Sequence, residues 1–246
     1  MNHFKADLHI HTVLSPCADL EMTPANIVDR AVEVGLQIIG ITDHNSTKNA
    51  LLTKELGEKQ GLLVLTGAEI NTKEEVHCLV FFETAETLNQ FQCYIDENIN
   101  IIPNPDGHFG YQPVVDADDN IIEMIPHYLH ASLKTGIDEI RQVVKAMNGL
   151  FIPAHIDRPA FGLFSQLGIM PPKLNPDALE ISKFTTKKDV LKHHFPDPKI
   201  TFIRNSDAHY LKQIGEIYSR AFMNKMSFNE LRMALQGGQN HYFEIE

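Results

Sequence analysis

Thirteen histidines are the main candidates for chemistry in this chain of 246 residues, and several stand close to carboxylates. The first motif, Asp7-Leu-His-Ile-His-Thr12, is typical of a strand, in which alternate side chains point to the same face. His9 and His11 would then lie side by side near the end of a strand, as a pair that can bind a metal ion. A coincidental alternation on a surface strand explains this motif about equally well when it is taken alone.

Three further motifs end an apolar, strand-like run in residues too polar for a core. Asp43 and His44 follow the first run, His155 ends the second, and the third leads to Asp207 and His209. In α/β barrels the catalytic groups collect at the C-terminal ends of the strands. A helix cap formed by Asp43 or Asn45 is the alternative for the first motif, and it is compatible with metal binding in the same turn.

Two more candidates, Glu69 and His77, lie in apolar surroundings. An unpaired buried carboxylate is costly, so Glu69 needs a cation, which is either a Lys or Arg side chain or a metal. His77 falls in the apolar run Val76–Phe82, where a histidine satisfied within the core is the common case. Six histidines with Asp207 and Glu69 nevertheless fall at or beside successive strand ends. Together they predict a site for more than one metal ion.

A donor set of imidazoles and carboxylates suits Zn²⁺, Mn²⁺ or Fe²⁺. Clustered ions of this kind can hold phosphoryl oxygens, lower the pKa of a bound water molecule and direct it at phosphorus. Arg158 is the main candidate for contacting phosphate oxygens, with a structural Arg–Asp pair as the alternative, and Lys183 is a weaker candidate. Asp43 is a candidate for orienting a ligand or accepting a proton. The predicted catalytic residues are Asp43, Arg158 and His209.

The elements that must position these residues alternate along the chain. Strands are predicted at 6–10, 37–41, 62–65, 76–82, 150–153, 178–181 and 201–204. Helices are predicted at 24–34, 46–57, 84–97, 136–148 and 227–235, the first with Thr23 as N-cap, Pro24 at its first position and Gly35 at its end. This alternation indicates a parallel sheet covered by helices, and we expect one barrel-like α/β domain over residues 1–246.

The segment at about 98–134 departs from that alternation because it is rich in Pro, Asp, Asn and Gly. We predict an excursion with a β-hairpin over one mouth of the barrel. Its histidines, His108, His127 and His130, are expected in a solvated loop, with the lining of a substrate mouth as the alternative. The four histidines that match no motif are expected on the surface. They are His3, His193, His194 and His241.

The composition narrows the classes of function. The formal net charge of −11 argues against nonspecific binding to nucleic acid or to an anionic membrane. Cys17, Cys78 and Cys93 form no CxxC pair, so neither a disulfide framework nor a thiolate zinc cluster is expected. Neither a secretory signal nor an apolar run of membrane-spanning length is visible, and we expect a cytoplasmic protein.

The motifs resemble those of the PHP (polymerase and histidinol phosphatase) superfamily of metal-dependent phosphoesterases. The matching stretches follow the order of the family over nearly the whole chain and are Asp7-Leu-His-Ile-His-Thr12, Ile41-Thr-Asp-His-Asn45, Gly67-Ala-Glu69, His77, Pro153-Ala-His155 and Ser206-Asp-Ala-His209. The resemblance implies a distorted TIM-like (β/α)7 barrel with the metal site at the C-terminal ends of the strands. It also implies up to three divalent ions, commonly zinc, manganese or iron.

The resemblance further implies which side chains bind each ion. The first ion would be held by His9, His11, Glu69 and Asp207. The second would share Glu69 and be completed by His77 and His155. The third would be held by His44, His209 and a residue of the loop after His11.

That loop offers two candidates for the third ion. Asp19 matches the Asp position of the family when counted back from Thr23, and Cys17 matches its His position when counted forward from His11. We predict Asp19, because a carboxylate suits the other donors, whereas a thiolate would favour zinc and be open to oxidation.

The expected activity is hydrolysis of a small phosphomonoester or phosphodiester by metal-activated water. Polymeric nucleic acid is disfavoured as a partner because the chain shows no obvious basic track, and no membrane partner is expected. Two alternatives stay open. One is a C–N hydrolase of amidohydrolase type, in which His-x-His strands and a terminal Asp also occur. The other is a non-catalytic module in which metals only stabilise the fold.

Overall fold

The computed structural model describes residues 2–186, 189, 200–238 and 240–245. The strands are β1 (Asn2–Ile10), β2 (Ile38–Ile41), β3 (Leu63–Asn71), β4 (His77–Phe82), β5 (Pro113–Val115), β6 (Ile121–Met124), β7 (Leu150–Pro153), β8 (Leu179–Glu180), β9 (Phe202–Ile203), β10 (Ser219–Met223) and β11 (Tyr242–Glu244). The helices are α1 (Pro24–Glu33), α2 (Ala50–Lys59), α3 (Ala85–Asn98), α4 (Ile137–Ala146), α5 (Leu163–Leu167) and α6 (Phe228–Leu235). Every predicted strand and helix is present, although most of their ends differ from the prediction.

Seven strands form one curled sheet in the order β11-β10-β1-β2-β3-β4-β7. Only the neighbouring pairs β1–β2 and β2–β3 are parallel, because β4 runs antiparallel to β3 and β7, and β10 runs antiparallel to β1 and β11. The expectation of a parallel sheet is therefore corrected. Residues 72–76 between β3 and β4 are too few for the crossover that parallel neighbours need. The molecule is a distorted, TIM-like α/β barrel, as predicted, with the sheet curled into half a barrel.

The reversal of β4 brings the beginning of one strand to the end of its neighbour. In the antiparallel pairing, Asn71 at the end of β3 lies opposite His77 at the start of β4. Pro153 at the end of β7 lies opposite Cys78. The C-terminal ends of β1, β2, β3 and β7 and the N-terminal end of β4 thus share one edge of the sheet, and that edge carries the predicted motifs.

Two apolar clusters hold the strands in place. The larger one packs helices against the sheet and contains Ile39, Val80 and Phe91, all buried. The smaller one collects side chains from the other face, including Leu65 and Phe81, and α6 packs into it. Burial of apolar surface at about 25 cal/mol per Å² makes such clusters the main stabilising contribution to a barrel.

The helix ends follow the predicted capping residues. The Thr23 side chain accepts a hydrogen bond from the backbone of Asn26, Pro24 opens α1, and Gly35 follows it with φ of 75°. Helix α2 begins at Ala50 and not at 46. The backbone N–H of Thr47 donates to the side chain of Gln92 instead of entering a helix.

The excursion contains the predicted hairpin, formed by antiparallel β5 and β6. Backbone bridges from Ile99 to Leu133 and from Pro103 to His127 join its two limbs. No helix in the described ranges combines the length and apolarity needed to cross a bilayer.

Two of the four histidines predicted on the surface lie within the described residues. His3 is exposed. The prediction for His241 is corrected, because that side chain is buried and its Nε2 lies 2.6 Å from Oε2 of Glu230. His193 and His194 lie outside the described residues.

Candidate metal centre

A cavity of about 400 Å³ opens at the edge of the sheet where the motifs meet. His9 and His11 are fully buried. Site residues in the cavity wall are Cys17, His44, Glu69, His77, His130, His155, Arg158, Asp207 and His209. The structure therefore gathers motifs that are separated by up to 200 residues of sequence into one site.

The Glu69 carboxylate lies at the centre of this site and is almost fully buried, with 1% of its surface exposed. Its Oε1 is 2.8 Å from Nδ1 of His77 and 3.0 Å from Nε2 of His155. Its Oε2 is 3.0 Å from Nδ1 of His44. Nε2 of His9 and of His11 follow at 3.3 and 3.4 Å. Five imidazoles thus surround one carboxylate, where the sequence analysis had left a Lys or Arg partner open.

His9 and His11 face each other, with 3.2 Å between their Nε2 atoms. Oδ1 of Asp207 lies 3.3 Å from both nitrogens. On the far side of its ring, Nδ1 of His9 is 3.0 Å from Oε2 of Glu180. Because a neutral imidazole that donates through Nδ1 leaves a lone pair on Nε2, His9 is oriented as a metal ligand by this second carboxylate.

The hydrogen bonds of Ser15 assign the tautomer of His11. The Ser15 hydroxyl donates to Oδ1 of Asp43 at 2.7 Å and accepts from the backbone N–H of His44 at 3.2 Å. Its remaining lone pair faces Nδ1 of His11 at 2.9 Å. His11 therefore donates through Nδ1, and its Nε2 lone pair points toward the lone pair of His9.

This arrangement fits divalent metal ions. Four groups of three side chains place one ligand atom each within 4.8 Å of one another, and they are His9–His11–Glu69, Glu69–His77–His155, His11–His44–His209 and His44–His77–His130. Nε2 of His77 and Nδ1 of His155 are buried without a hydrogen-bond partner among the described residues. Converging lone pairs and carboxylate oxygens repel one another unless a cation lies between them.

The pKa values of the site indicate neutral imidazoles beside ionised carboxylates. Burial lowers the pKa of both His44 and His77 to about 4. Burial alone would raise the pKa of Glu69, but the imidazoles of His77, His9 and His44 outweigh it and hold this pKa well below its usual value. Ligand imidazoles must be neutral and ligand carboxylates ionised, so both directions favour metal binding.

His9 is the exception among these histidines. Burial alone would lower its pKa, but the carboxylates of Glu180, Asp207 and Glu69 together raise that pKa well above its usual value. Three negative charges around one imidazole call for a positive charge at this position, which a divalent ion supplies as well as a proton does.

Arg158 and His209 both lie against Asp207. A guanidinium nitrogen of Arg158 is 2.6 Å from Oδ2 of Asp207, and the Arg158 side chain is 40% exposed. Nδ1 of His209 lies 2.9 Å from the backbone oxygen of Asp207. The structure thus contains the Arg–Asp pair that the sequence analysis gave as an alternative, and it also places Arg158 in the cavity wall.

Asp43 lies outside the cavity wall, although it was a candidate catalytic residue. It is fully buried, and its oxygens accept 2.7 Å hydrogen bonds from the hydroxyl and backbone N–H of Thr12 and from Ser15. These bonds fix the loop that follows β1. Of the two roles predicted for Asp43, these contacts favour the orienting of a ligand over the accepting of a proton, because Asp43 reaches His11 through Ser15.

The structure corrects the prediction for Asp19. Its Oδ1 accepts a hydrogen bond from the backbone N–H of Glu21 at 2.9 Å, within its own turn, and among the described residues its carboxylate forms no ion pair with a site histidine, whereas that of Asp207 lies 3.3 Å from both His9 and His11. Short-range bonding of Asp to nearby amides is common in turns. Cys17, the alternative, is an exposed residue that lines the cavity.

The sequence analysis missed Glu180, and it expected His130 in a solvated loop, with the lining of a substrate mouth as the alternative that the structure favours. Glu180 lies between apolar neighbours, and the argument that assigned a cation to Glu69 would also have found it. His130 carries no local signal, since it stands in an irregular part of the excursion. Its ring centroid lies 4.2 Å from that of His44.

Backbone conformation is unusual at two of the predicted ligands. His155 and Asp207 have φ of 44° and 53°, in the left-handed region that non-glycine residues seldom adopt. Such strain concentrates at functional sites, where the surrounding structure enforces it. His155 lies two residues after the end of β7 and Asp207 four residues after the end of β9, so both strained positions lie in turns that leave a strand.

The fold and the site define a metal-binding α/β barrel of a known family. The PHP domain profile matches residues 7–155, more than half of the chain. The chain therefore belongs to the PHP domain family.

Three similar proteins differ in how much of their sequence or fold they share with this chain. The chain is 26% identical to the uncharacterized protein YqxK of Bacillus subtilis in an alignment of 270 residues, which covers 96% of this chain and 63% of YqxK. It is 31% identical over 65 residues to a phosphoribosyl 1,2-cyclic phosphate 1,2-diphosphodiesterase of Eggerthella lenta, or 26% of this chain and 24% of that enzyme.

Among solved structures, the fold is similar to that of the lesion-specific endonuclease PfuEndoQ of Pyrococcus furiosus. The TM-score is 0.76 at 20% identity, covering 98% of this chain and 58% of that one. The chain thus spans about three fifths of the length of both YqxK and PfuEndoQ.

Proposed function

We propose that this protein is a metal-dependent hydrolase that cleaves phosphate esters, with a small phosphomonoester or phosphodiester as its substrate. One observation carries the proposal. The imidazole–carboxylate cluster opens into a cavity whose wall also holds the cations Arg158 and Lys183. A scissile amide is neutral and needs no such cations, whereas a phosphate ester brings negative charge to the site.

The chain supplies ligands for up to three divalent ions, for which zinc, manganese and iron suit the donors. Those ligands would be His9, His11, Glu69 and Asp207 for one ion, Glu69, His77 and His155 for another, and His44 and His209 for a third. When bound, such ions act as Lewis acids toward phosphoryl oxygens and water.

Arg158 would anchor the substrate. One guanidinium nitrogen is engaged by Asp207, and its other donors remain for a phosphate oxygen beside the metal ligands. In this role Arg158 would touch the reacting group and orient it, while the bond to Asp207 fixes the guanidinium. His209, whose Nδ1 lies 2.9 Å from the backbone oxygen of Asp207, would serve as a ligand.

A nucleic-acid phosphodiester is the second candidate substrate. The likeness in fold to a lesion-specific endonuclease favours it. So do two aromatic rings in the cavity wall, Phe184 with 78% and Tyr210 with 47% of their surface exposed, because bases stack on such rings. The net charge of −11 opposes it, and a small phosphate ester remains our first proposal.

A screen on protein loaded with Mn²⁺ or Zn²⁺ tests the proposal. The substrates would be phosphomonoesters, small phosphodiesters, single- and double-stranded oligonucleotides, and amides. Turnover of a small phosphate ester is the expected result, and turnover of oligonucleotides alone would select the second candidate. Hydrolysis of amides alone would assign the protein to the amidohydrolase type, and bound metal without turnover of any substrate would indicate a non-catalytic module.

Isotopically labelled water tests the bond that breaks. Attack of water at phosphorus places the heavy oxygen in the released phosphate. Heavy oxygen in the alcohol product would instead show cleavage of the C–O bond and contradict the proposed chemistry.

A further inference from the structure

Two buried asparagines of the barrel edge hold three consecutive carbonyl groups of the excursion. Nδ2 of Asn45 donates to the backbone oxygens of Leu129 at 2.6 Å and Ala131 at 2.8 Å. Nδ2 of Asn71 donates to the backbone oxygen of His130 at 3.1 Å. The two asparagines are joined, because the backbone N–H of Asn71 donates to Oδ1 of Asn45 at 3.0 Å.

These bonds fix the excursion at one residue, His130. Asn45 and Asn71 are 0% and 2% exposed, so the side-chain amides are removed from water and directed to this purpose. A buried amide that loses its hydrogen-bond partner is costly, which makes the attachment specific. The backbone on both sides of His130 is therefore held to the same strand ends that carry the metal ligands.

The ring of His130 stands nearly at right angles to three rings of the site. The interplanar angle to His44 is 83° at a centroid distance of 4.2 Å. Those to Phe161 and His77 are 85° at 5.0 Å and 82° at 5.1 Å. The ring lines the cavity, and among the described residues no group hydrogen-bonds to its nitrogens.

His130 differs from the proposed metal ligands His9 and His11 in its surroundings. Each of those two has its second ring nitrogen held, by Glu180 or by Ser15. Histidine ligands of metals are nearly always oriented in this way. His130 has no such partner, and no carboxylate within the described ranges lies within 4.0 Å of its nitrogens. A neutral imidazole nevertheless carries one N–H, which can donate to an anion in the cavity.

We propose that His130 contacts the substrate by donating a ring N–H to a phosphate oxygen, and that Asn45 and Asn71 are positioning residues for it. This inference rests on the proposed hydrolysis of phosphate esters. The excursion is then a part of the site. The backbone of residues 129–131, bound by Asn45 and Asn71, holds the ring of His130 at the edge of the barrel, where it contacts the substrate.

The test compares His130→Phe with the wild type, both loaded with Mn²⁺. Phenylalanine keeps a ring for packing against Phe161 and removes both nitrogens. We expect the affinity for inorganic phosphate, measured by titration calorimetry, to fall roughly tenfold to a hundredfold, as for one hydrogen bond to a charged group. Metal content by elemental analysis should stay unchanged. His108→Phe, at an exposed histidine of the same excursion, is the matched control and should change neither quantity.

Asn45→Ala tests the positioning role. It should weaken phosphate binding without loss of metal, and the double variant with His130→Phe should bind phosphate no more weakly than His130→Phe alone. Additive effects would overturn the role of Asn45. If Asn45→Ala does not fold, Asn71→Ala gives the same comparison through the backbone oxygen of His130.

Other outcomes overturn the inference in distinguishable ways. Loss of bound metal in His130→Phe would make His130 a metal ligand, and unchanged phosphate affinity would make it a packing residue. Both results leave the proposed hydrolysis intact if the wild type turns over a phosphate ester. A wild type that neither binds phosphate nor hydrolyses any phosphate ester would end the proposed function and this inference together.

Discussion

The candidate site joins residues on or directly after strands with residues held by loops, and the two kinds behave differently. His9, His11 and Glu69 come from strand motifs, and the structure places their side chains within 3.4 Å of one another, as predicted. The loop residues depart from prediction. Asp19 bonds within its own turn, and His130 reaches the cavity.

The difference has a physical cause. In a strand the direction of a side chain follows from the alternation of the backbone, so the local sequence places it. A loop side chain is placed by bonds to distant residues. His130 depends on Asn45 and Asn71, which lie 85 and 59 residues away in sequence. Site residues on strands are therefore easier to predict from the sequence than site residues in loops.

The largest expected effect comes from the strand-borne centre. Glu69→Gln keeps the shape of the side chain but removes the charge that five imidazoles share. We expect activity to fall by about a thousandfold or more, or ~4 kcal/mol of barrier, with loss of bound metal by elemental analysis. Glu33→Gln, at an exposed surface pair with Arg30, is the control. Full metal content in Glu69→Gln would remove Glu69 from the ligands.

A smaller effect is expected at Glu180, which lines the cavity and contacts His9. Glu180→Gln retains an oxygen for the N–H of His9 but loses the charge behind it. Metal affinity, measured by competition with a chelating dye, should fall roughly tenfold to a hundredfold. Glu123→Gln, at an exposed pair with Lys48, should leave that affinity unchanged. If both variants bind metal like the wild type, the orientation of His9 does not depend on Glu180.

Arg158→Lys separates substrate binding from metal binding. Lysine keeps the positive charge but cannot hold Asp207 and a phosphate oxygen at once with a planar fork. Activity on a phosphate ester should fall by about tenfold with metal content unchanged. Arg30→Lys changes a similar Arg–carboxylate pair on the surface and serves as the control. Unaltered kinetics would leave Arg158 with only the pairing to Asp207.

The smallest effect is expected at the loop residue that the structure keeps out of the ligand groups. Asp19→Ala should leave metal content and activity unchanged and lower the free energy of unfolding by about 1 kcal/mol or less, because one turn hydrogen bond is lost. Thermal denaturation and elemental analysis measure the two quantities. Cys17→Ala, on the same loop but in the cavity wall, is the comparison. Metal loss in Asp19→Ala alone would restore Asp19 as a ligand.

Much of the fold followed from local signals in the sequence. The N-caps Thr23, Thr84 and Ser227 begin helices where hydroxyl side chains accept from backbone N–H groups. The direction of β4 did not follow, because it depends on the short turn after β3 and on pairing with β7. Hydrophobic periodicity indicates that a strand exists, but it does not indicate the direction of the neighbouring strand.

The sequence by itself determined which residue types would do the chemistry and that they would stand at strand ends, because strand alternation and apolar runs are local properties. Only the tertiary structure decided that Glu180 orients His9, that Asp43 acts through Ser15, and that the excursion brings His130 to the cavity. Those contacts join residues far apart in the chain. Their partners are selected by burial and by the need to satisfy every buried polar group, which no local pattern encodes.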